Sequence, residues 1–217
     1  MYNVAMKLTY FNCRGLGEMI RLLLTDKQIP FEDERFGYAD WPSYKPKMQF
    51  GQVPCLYVED EQIVQTGAIM RHLGRAYGLN GHNEQETTFI DMFFEGIRDL
   101  HTKYAHLIYG DFENGKEPFI KDVLPVELEK LEKLFKTYSN GELFIAGPKE
   151  SYADYALFEE LDVLLVLSHS ALDHFPALKS FHERFSQRSN LKVYLSKRAA
   201  LNVPINGNGK TIEKKKL

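Results

Sequence analysis

The chain has 217 residues, of which 44% are hydrophobic and 26% charged, with a formal net charge of -3. That length and balance suit one large or two small folded domains with real cores and exclude extended disorder. The slight acidity gives no electrostatic reason to expect nucleic acid. The most apolar stretch, Tyr155 to Leu167, carries Glu159, Glu160 and Asp162, so no membrane span is expected.

In chain order, Lys7 to Phe11 reads as a strand, followed by the glycine-containing turn Asn12-Cys13-Arg14-Gly15. Leu16 to Thr25 predicts a helix with Leu16, Ile20, Leu23 and Leu24 on one side, and Phe31 to Phe36 a weaker strand. An irregular loop holding Trp41 and Pro46 comes next. Pro54 to Glu59 and Gln62 to Gln65 predict a hairpin turning at Glu59-Asp60-Glu61, and Gly67 to Tyr77 a helix. This β-α-β, loop, β-β-α order is the pattern of a thioredoxin-like α/β domain over residues 1–79. Residues 80–85 are polar and turn-rich and suit a linker. Ile90, Phe93, Phe94, Ile97, Leu100, Tyr104, Leu107 and Ile108 then step by three or four and predict one long helix. Phe119 to Tyr138 continues the pattern, with Pro125 expected to kink or divide it. Ser151 and Asp154 read as an N-cap and its reciprocal partner, ahead of a helix apolar on nearly all sides and therefore central. Shorter helices near Ala177 to Gln187 and Leu191 to Ala200 complete an all-helical domain over 86–210, and 211–217 is expected to be a frayed, charged tail.

Tyr10 lies at the carboxyl end of the first strand, where open α/β sheets place ligand chemistry. A phenol there can donate a hydrogen bond to a thiolate. Such a bond to a charged partner is worth about 1.5 to 3 kcal/mol, enough to lower a thiol pKa near 8.5 by roughly one to two units. Gln52-Val53-Pro54 sets a polar and an apolar residue before a strand-opening proline; chemistry alone predicts a trans bond there. Thr66 reads as the N-cap of the helix from Gly67, whose first amides offer a carboxylate site. Two cysteines, Cys13 and Cys55, are too few for a disulfide framework and point to a reducing compartment. The first twenty residues, with Lys7, Asn12, Arg14 and Glu18, lack the apolar core of a secretory signal. No metal pattern is expected from the histidines, since His101/His106 and His169/His174 are each five apart.

Tyr10-Phe11 with Arg14-Gly15, Gln52-Val53-Pro54, Arg71-His72-Leu73-Gly74-Arg75, Ser151-Tyr152-Ala153-Asp154-Tyr155 and Pro204-Ile205-Asn206-Gly207-Asn208-Gly209-Lys210 together resemble the cytosolic glutathione transferases, most closely the Pi class. The resemblance implies a cytoplasmic homodimer that conjugates glutathione to small hydrophobic electrophiles, with no cofactor beyond glutathione as co-substrate. It implies Tyr10 as the catalytic group and a glutathione site of Tyr10, Trp41, Lys45, Gln52, Val53, cis Pro54, Gln65, Thr66 and, from the neighbouring subunit, Asp99. Lys47 competes with Lys45 for the glycyl carboxylate. The implied electrophile side is Phe11, Cys13, Tyr38, Ala105, Tyr109 and Gly207; the implied dimer contacts are Phe50, Arg71 and Arg75. Leu16 stands where many Pi members carry arginine, and Thr66 where they carry serine. The competing functions are a carrier of apolar ligands and a specialised glutathione-dependent isomerase or peroxidase.

Overall fold

Four strands make one sheet in the computed structural model, which describes residues 5–210. The strands β1 (Met6–Phe11), β2 (Glu32–Phe36), β3 (Cys55–Val58) and β4 (Glu61–Val64) lie in the order β2-β1-β3-β4. β1 pairs parallel with β2, with Tyr10 opposite Arg35, and antiparallel with β3, with Thr9 opposite Cys55. The parallel pair needs a crossover, supplied by helix α1 (Glu18–Asp26), whereas β3 and β4 form the hairpin. Central β1 is covered on both faces: Leu8, Thr9 and Tyr10 are all buried. Edge strand β2 carries Glu32, Asp33, Glu34 and Arg35, charges that keep a free edge from pairing with another chain.

Two elements start differently from expectation. The helix predicted from Leu16 opens as a tight turn, Gly15–Gly17, and becomes regular only at Glu18. Gly15 has φ +42°, a conformation that carries little penalty only without a Cβ. The Trp41 loop is wound into a short helix, α2 (Trp41–Tyr44), with further single turns after it.

The chain divides by packing into two units, residues 5–73 with 188–210 and residues 74–187. Helix α3 (Thr66–Tyr77) runs through the boundary. The second unit consists of α4 (Glu84–Tyr109), α5 (Phe112–Pro118), α6 (Leu124–Phe135), α7 (Tyr152–Leu167) and α8 (Pro176–Ser186). In α4 the residues from Ile90 to Ile108 on the predicted stripe are all buried. A five-residue π-helical turn, Phe119–Val123, accommodates the break expected at Pro125, which stands in the first turn of α6, where a missing N–H is harmless. α7 is the centre of this unit: ten consecutive residues from Tyr152 to Leu161 are buried, and each fully buried large apolar side chain contributes roughly 1.5–3 kcal/mol. Asp154, itself buried, fixes the start of α7. It accepts from the Ser151 N–H and hydroxyl, both at 2.7 Å, and from the Ile145 N–H at 3.0 Å. The last helix, α9 (Ser189–Ala200), belongs to the first unit, where it packs on α1, an association that chain order does not carry. No helix among the described residues is long and apolar enough to cross a membrane. The expected tail, 211–217, lies outside them.

Candidate active site

Tyr10 is held from two sides by glycines. A Cβ at Gly17 would meet Cδ1 of the Tyr10 ring at 2.7 Å, and one at Gly15 would meet its hydroxyl at 2.6 Å. Only a glycine-bearing turn can lie so close. The turn places the backbone N–H of Leu16 on the phenol oxygen at 3.1 Å. That contact occupies an acceptor lone pair of the hydroxyl and not its O–H, the only donor a phenol has. Tyr10 as a whole is only 8% exposed, so the oxygen has little freedom to wander. Substituting Gly17 by Ala drives a methyl into the root of the ring, which cannot swing aside. We expect Gly17→Ala to lower any turnover that depends on the Tyr10 hydroxyl by about tenfold or more, since displacing a reacting group by ~1 Å can cost 10²-fold. A steady-state assay beside a melting curve checks this: full turnover would show that the ring tolerates displacement.

Five of the residues expected from the sequence to hold glutathione, Gln52, Val53, Pro54, Gln65 and Thr66, lie just before β3 and at the start of α3. Gln65 Nε2 donates to Gln52 Oε1 at 2.8 Å, so the two glutamines expected from the sequence do meet. The Val53-Pro54 bond is cis. Gln65 has φ 70°, and its carbonyl accepts the first helical bond of α3, from the Ile69 N–H at 3.0 Å. Gln65 is therefore the cap of α3 and Thr66 its first helical residue, so the helix starts one position earlier than the sequence suggests. Thr66 is buried. The amides that open α3 have no partner within the helix, which makes this end suited to a carboxylate.

Trp41 has a packing role that its loop setting did not predict. Its indole stacks on Phe36 with ring centres 5.9 Å apart, meets Phe11 edge-on at 5.4 Å, and leans on the Met48, Cys55 and Val64 cluster. Lys45 is exposed and its stem runs 3.4 Å from where a Cβ at Gly51 would sit, next to Gln52; the Lys47 ammonium stands 5.8 Å from the Tyr44 ring centre.

Phe11 and Tyr38 stack with ring centres 4.4 Å apart and planes nearly parallel. Tyr38 covers Gly207 so closely that a Cβ there would lie 1.8 Å from its hydroxyl, so Phe11, Tyr38 and Gly207 form one apolar wall. Cys13 and Cys55 are both buried, and burial pushes each thiol up to about 11. At neutral pH both are protonated, so neither side chain supplies a nucleophilic sulfur. In the second unit Ala105 is half-buried and Tyr109 exposed at the end of α4, and Asp99 is exposed on α4, away from its buried stripe. On α3, Arg71 is half-buried and Arg75 exposed.

Sequence reasoning missed Leu16 as a backbone donor, Gly17 as the space for the ring, and Arg21. Arg21 had a signal: a guanidinium inside the run Glu18-Met19-Ile20-Arg21-Leu22-Leu23-Leu24, where it is fully buried. A backbone donor leaves no such trace, because any residue but proline supplies one.

Residues 6–75 match the family model described as glutathione S-transferase, N-terminal domain, and residues 98–198 match glutathione S-transferase, C-terminal domain. The chain is 65% identical to glutathione S-transferase P of Caenorhabditis elegans over 95% of its own length and 100% of that protein, and 59% identical to glutathione S-transferase 2 of Onchocerca volvulus over 94% and 98%. The solved structure of an Onchocerca volvulus Pi-class glutathione S-transferase superposes with a TM-score of 0.93 at 58% identity, covering 94% of this chain and 99% of that one. The chain belongs to the glutathione S-transferases, in the Pi class.

Proposed function

We propose that this protein conjugates glutathione to small hydrophobic electrophiles, with the Tyr10 hydroxyl donating to the sulfur and keeping it ionised. The observation that carries this role is the Leu16 N–H on the phenol oxygen at 3.1 Å. It fixes the oxygen at the end of β1 by its acceptor side, which suits a hydroxyl whose hydrogen serves a negatively charged partner. The thiol proton leaves to solvent, the thiolate forms a new carbon–sulfur bond, and the leaving group, chloride in a chloronitrobenzene, departs with its electron pair. Position and thiol ionisation are the main sources of rate.

For glutathione itself, the Gln52–Gln65 pair, the Val53 backbone, Pro54 and the start of α3 at Thr66 are assigned to the γ-glutamyl and cysteinyl parts, and Trp41 and Lys45 to the glycyl carboxylate. Lys45 is preferred over Lys47 because the Lys47 ammonium stands over the Tyr44 ring. Phe11, Cys13, Tyr38 and Gly207 are assigned to the electrophile, as are Ala105 and Tyr109 by resemblance to the Pi class. No cofactor beyond the co-substrate enters this chemistry. A cytoplasmic setting agrees with two buried free thiols.

The test is a titration of the ultraviolet thiolate band of bound glutathione. An apparent pKa of about 6.5–7.5 is expected, one to two units below the free thiol; a value near the free thiol argues against thiolate stabilisation.

We further propose a homodimer in which Phe50, Arg71 and Arg75 make contacts and Asp99 serves the neighbouring site. Phe50 is 80% exposed and strained, at φ 55°, features more in keeping with insertion into a partner than with a solvated loop. Phe50→Ala is expected to move the sedimentation profile from dimer to monomer at low micromolar concentration; an unaltered dimer removes Phe50 from the interface.

A further inference from the structure

Beneath the Tyr10 turn runs a buried charged chain to which the proposed chemistry assigns no part. Glu18 and Arg21, both fully buried on α1, face each other at 3.2 Å. Arg21 Nη1 donates to the Cys13 carbonyl at 2.9 Å and reaches the Arg14 carbonyl at 3.5 Å, while Nε donates to Asp33 Oδ1 at 3.0 Å. The other oxygen of Asp33 is held by Arg35. Glu18 Oε1 accepts from two residues of α9: the Tyr194 hydroxyl at 2.9 Å and Arg198 Nη1 at 3.1 Å. Burial alone would raise the Glu18 carboxyl, but Arg198, Arg21 and Arg14 outweigh it and hold the group ionised, below the usual carboxylate range.

The same turn is gripped along its other edge by the segment after α9. The Arg14 N–H donates to the Pro204 carbonyl at 2.8 Å and the Gly15 N–H to the Ile205 carbonyl at 3.0 Å. The carbonyls of Cys13 and Arg14 and the amides of Arg14 and Gly15 are thus all fixed in the three residues that lead into Leu16, whose N–H meets Tyr10. The Arg21 guanidinium also lies 5.8 Å from the Tyr10 ring centre. Attachment of α9 does not require this chain, because Arg188 and Asn190 already tie its start to Asp26, each at 2.7 Å. Buried charges are costly to assemble and stabilise little compared with apolar packing. Hydrogen bonds are directional, and direction is what the turn needs.

We infer, on the reading of Tyr10 as the thiolate's donor, that Glu18 and Arg21 are positioning residues for its hydroxyl, and that α9, through Tyr194 and Arg198, takes part in ionising the bound thiol. Loosening Glu18 frees Arg21, the carbonyls of Cys13 and Arg14 shift, and the Leu16 N–H leaves the oxygen it orients.

The experiment is the same thiolate titration on purified full-length variants. Tyr194→Phe deletes one contact to Glu18 without changing charge, Arg198→Met deletes the other, and Arg188→Met loosens α9 away from Glu18. The double variant Tyr194→Phe/Arg198→Met is expected to raise the apparent thiol pKa by about one unit, a tenfold smaller thiolate fraction below it, with glutathione affinity held within about twofold. Tyr194→Phe alone, which should fold in any case, is expected to give about half a unit, roughly threefold. Arg188→Met is expected to leave the pKa at the wild-type value. In a Tyr10→Phe background the double change should produce no further shift, since coupled residues are not additive. An unmoved pKa in the folded Tyr194→Phe protein, an equal shift in Arg188→Met, or full additivity with Tyr10→Phe overturns the inference. A normal shift in Tyr10→Phe with none from α9 overturns this inference alone, whereas no shift in Tyr10→Phe overturns both readings.

Discussion

Replacing Tyr10 by phenylalanine should cut the conjugation of a chloronitrobenzene substrate by about 10- to 100-fold at pH 6.5, the equivalent of the 1.5–3 kcal/mol of one hydrogen bond to a charged partner. Glutathione affinity should remain nearly intact, because the amides of α3, the paired glutamines and the lysine do not depend on the phenol. The loss is expected to shrink as pH rises toward the free thiol value, where the sulfur ionises without help. Deleting the hydroxyl also leaves the Leu16 N–H without its acceptor, so a small loss of stability accompanies the change. Turnover equal to wild type across that range would remove Tyr10 from the mechanism; a KM effect with unchanged kcat would recast it as a binding group.

The largest effect on stability is expected at Asp154. Alanine there leaves the Ile145 N–H, the Ser151 N–H and the Ser151 hydroxyl buried without their acceptor. Each stranded donor costs about 1–3 kcal/mol, partly offset by relief of a buried carboxylate, so a net loss of about 3–4 kcal/mol at pH 7 is expected. The wild-type pH dependence is distinctive. Burial pushes the Asp154 carboxyl from 3.8 up to about 6, against the pull of its hydrogen bonds to Ser151 and Ile145. Between those two values the folded state holds a proton that the unfolded state has released, so this group's contribution to stability falls as pH rises from about 4 to 6 and is flat above. The shift corresponds to roughly 3 kcal/mol at most. Chemical denaturation at pH 4.5 and 7 therefore should show a wider gap between wild type and Asp154→Ala at the lower pH. A gap that narrows there would mean the three donors dominate and the carboxyl is depressed.

The fold was legible where periodicity and punctuation agreed. The α4 stripe from Ile90 to Ile108 and the all-round apolar α7 each announce burial through side-chain type, and Ser151 with Asp154 announces where α7 begins. The shift of the α3 cap from Thr66 to Gln65 shows the limit, since Gln65 is a poor cap by residue type and works through a left-handed backbone that composition does not reveal. At the candidate site, the residues named in advance are those whose side chains offer a polar group, such as Tyr10 and the two glutamines. Those missed act through the main chain or from beneath: the Leu16 N–H, the carbonyls of Pro204 and Ile205, and buried Arg21. Trp41, expected in an irregular loop, is a slab of the local core against Phe36, because its loop is wound into helical turns.

The unit that bears Tyr10 is interrupted in the chain: residues 5–73 are completed by 188–210, with the whole of 74–187 in between. A ribosome delivers these pieces in order, at about 5–20 residues per second. The helical stretch is continuous and can settle while synthesis proceeds, whereas the turn at Arg14 and Gly15 must wait for Pro204 and Ile205 to emerge. A nascent chain therefore lacks the contacts that fix the Tyr10 turn until residues 188–205 have been made, and a premature stop just after α8 removes them all.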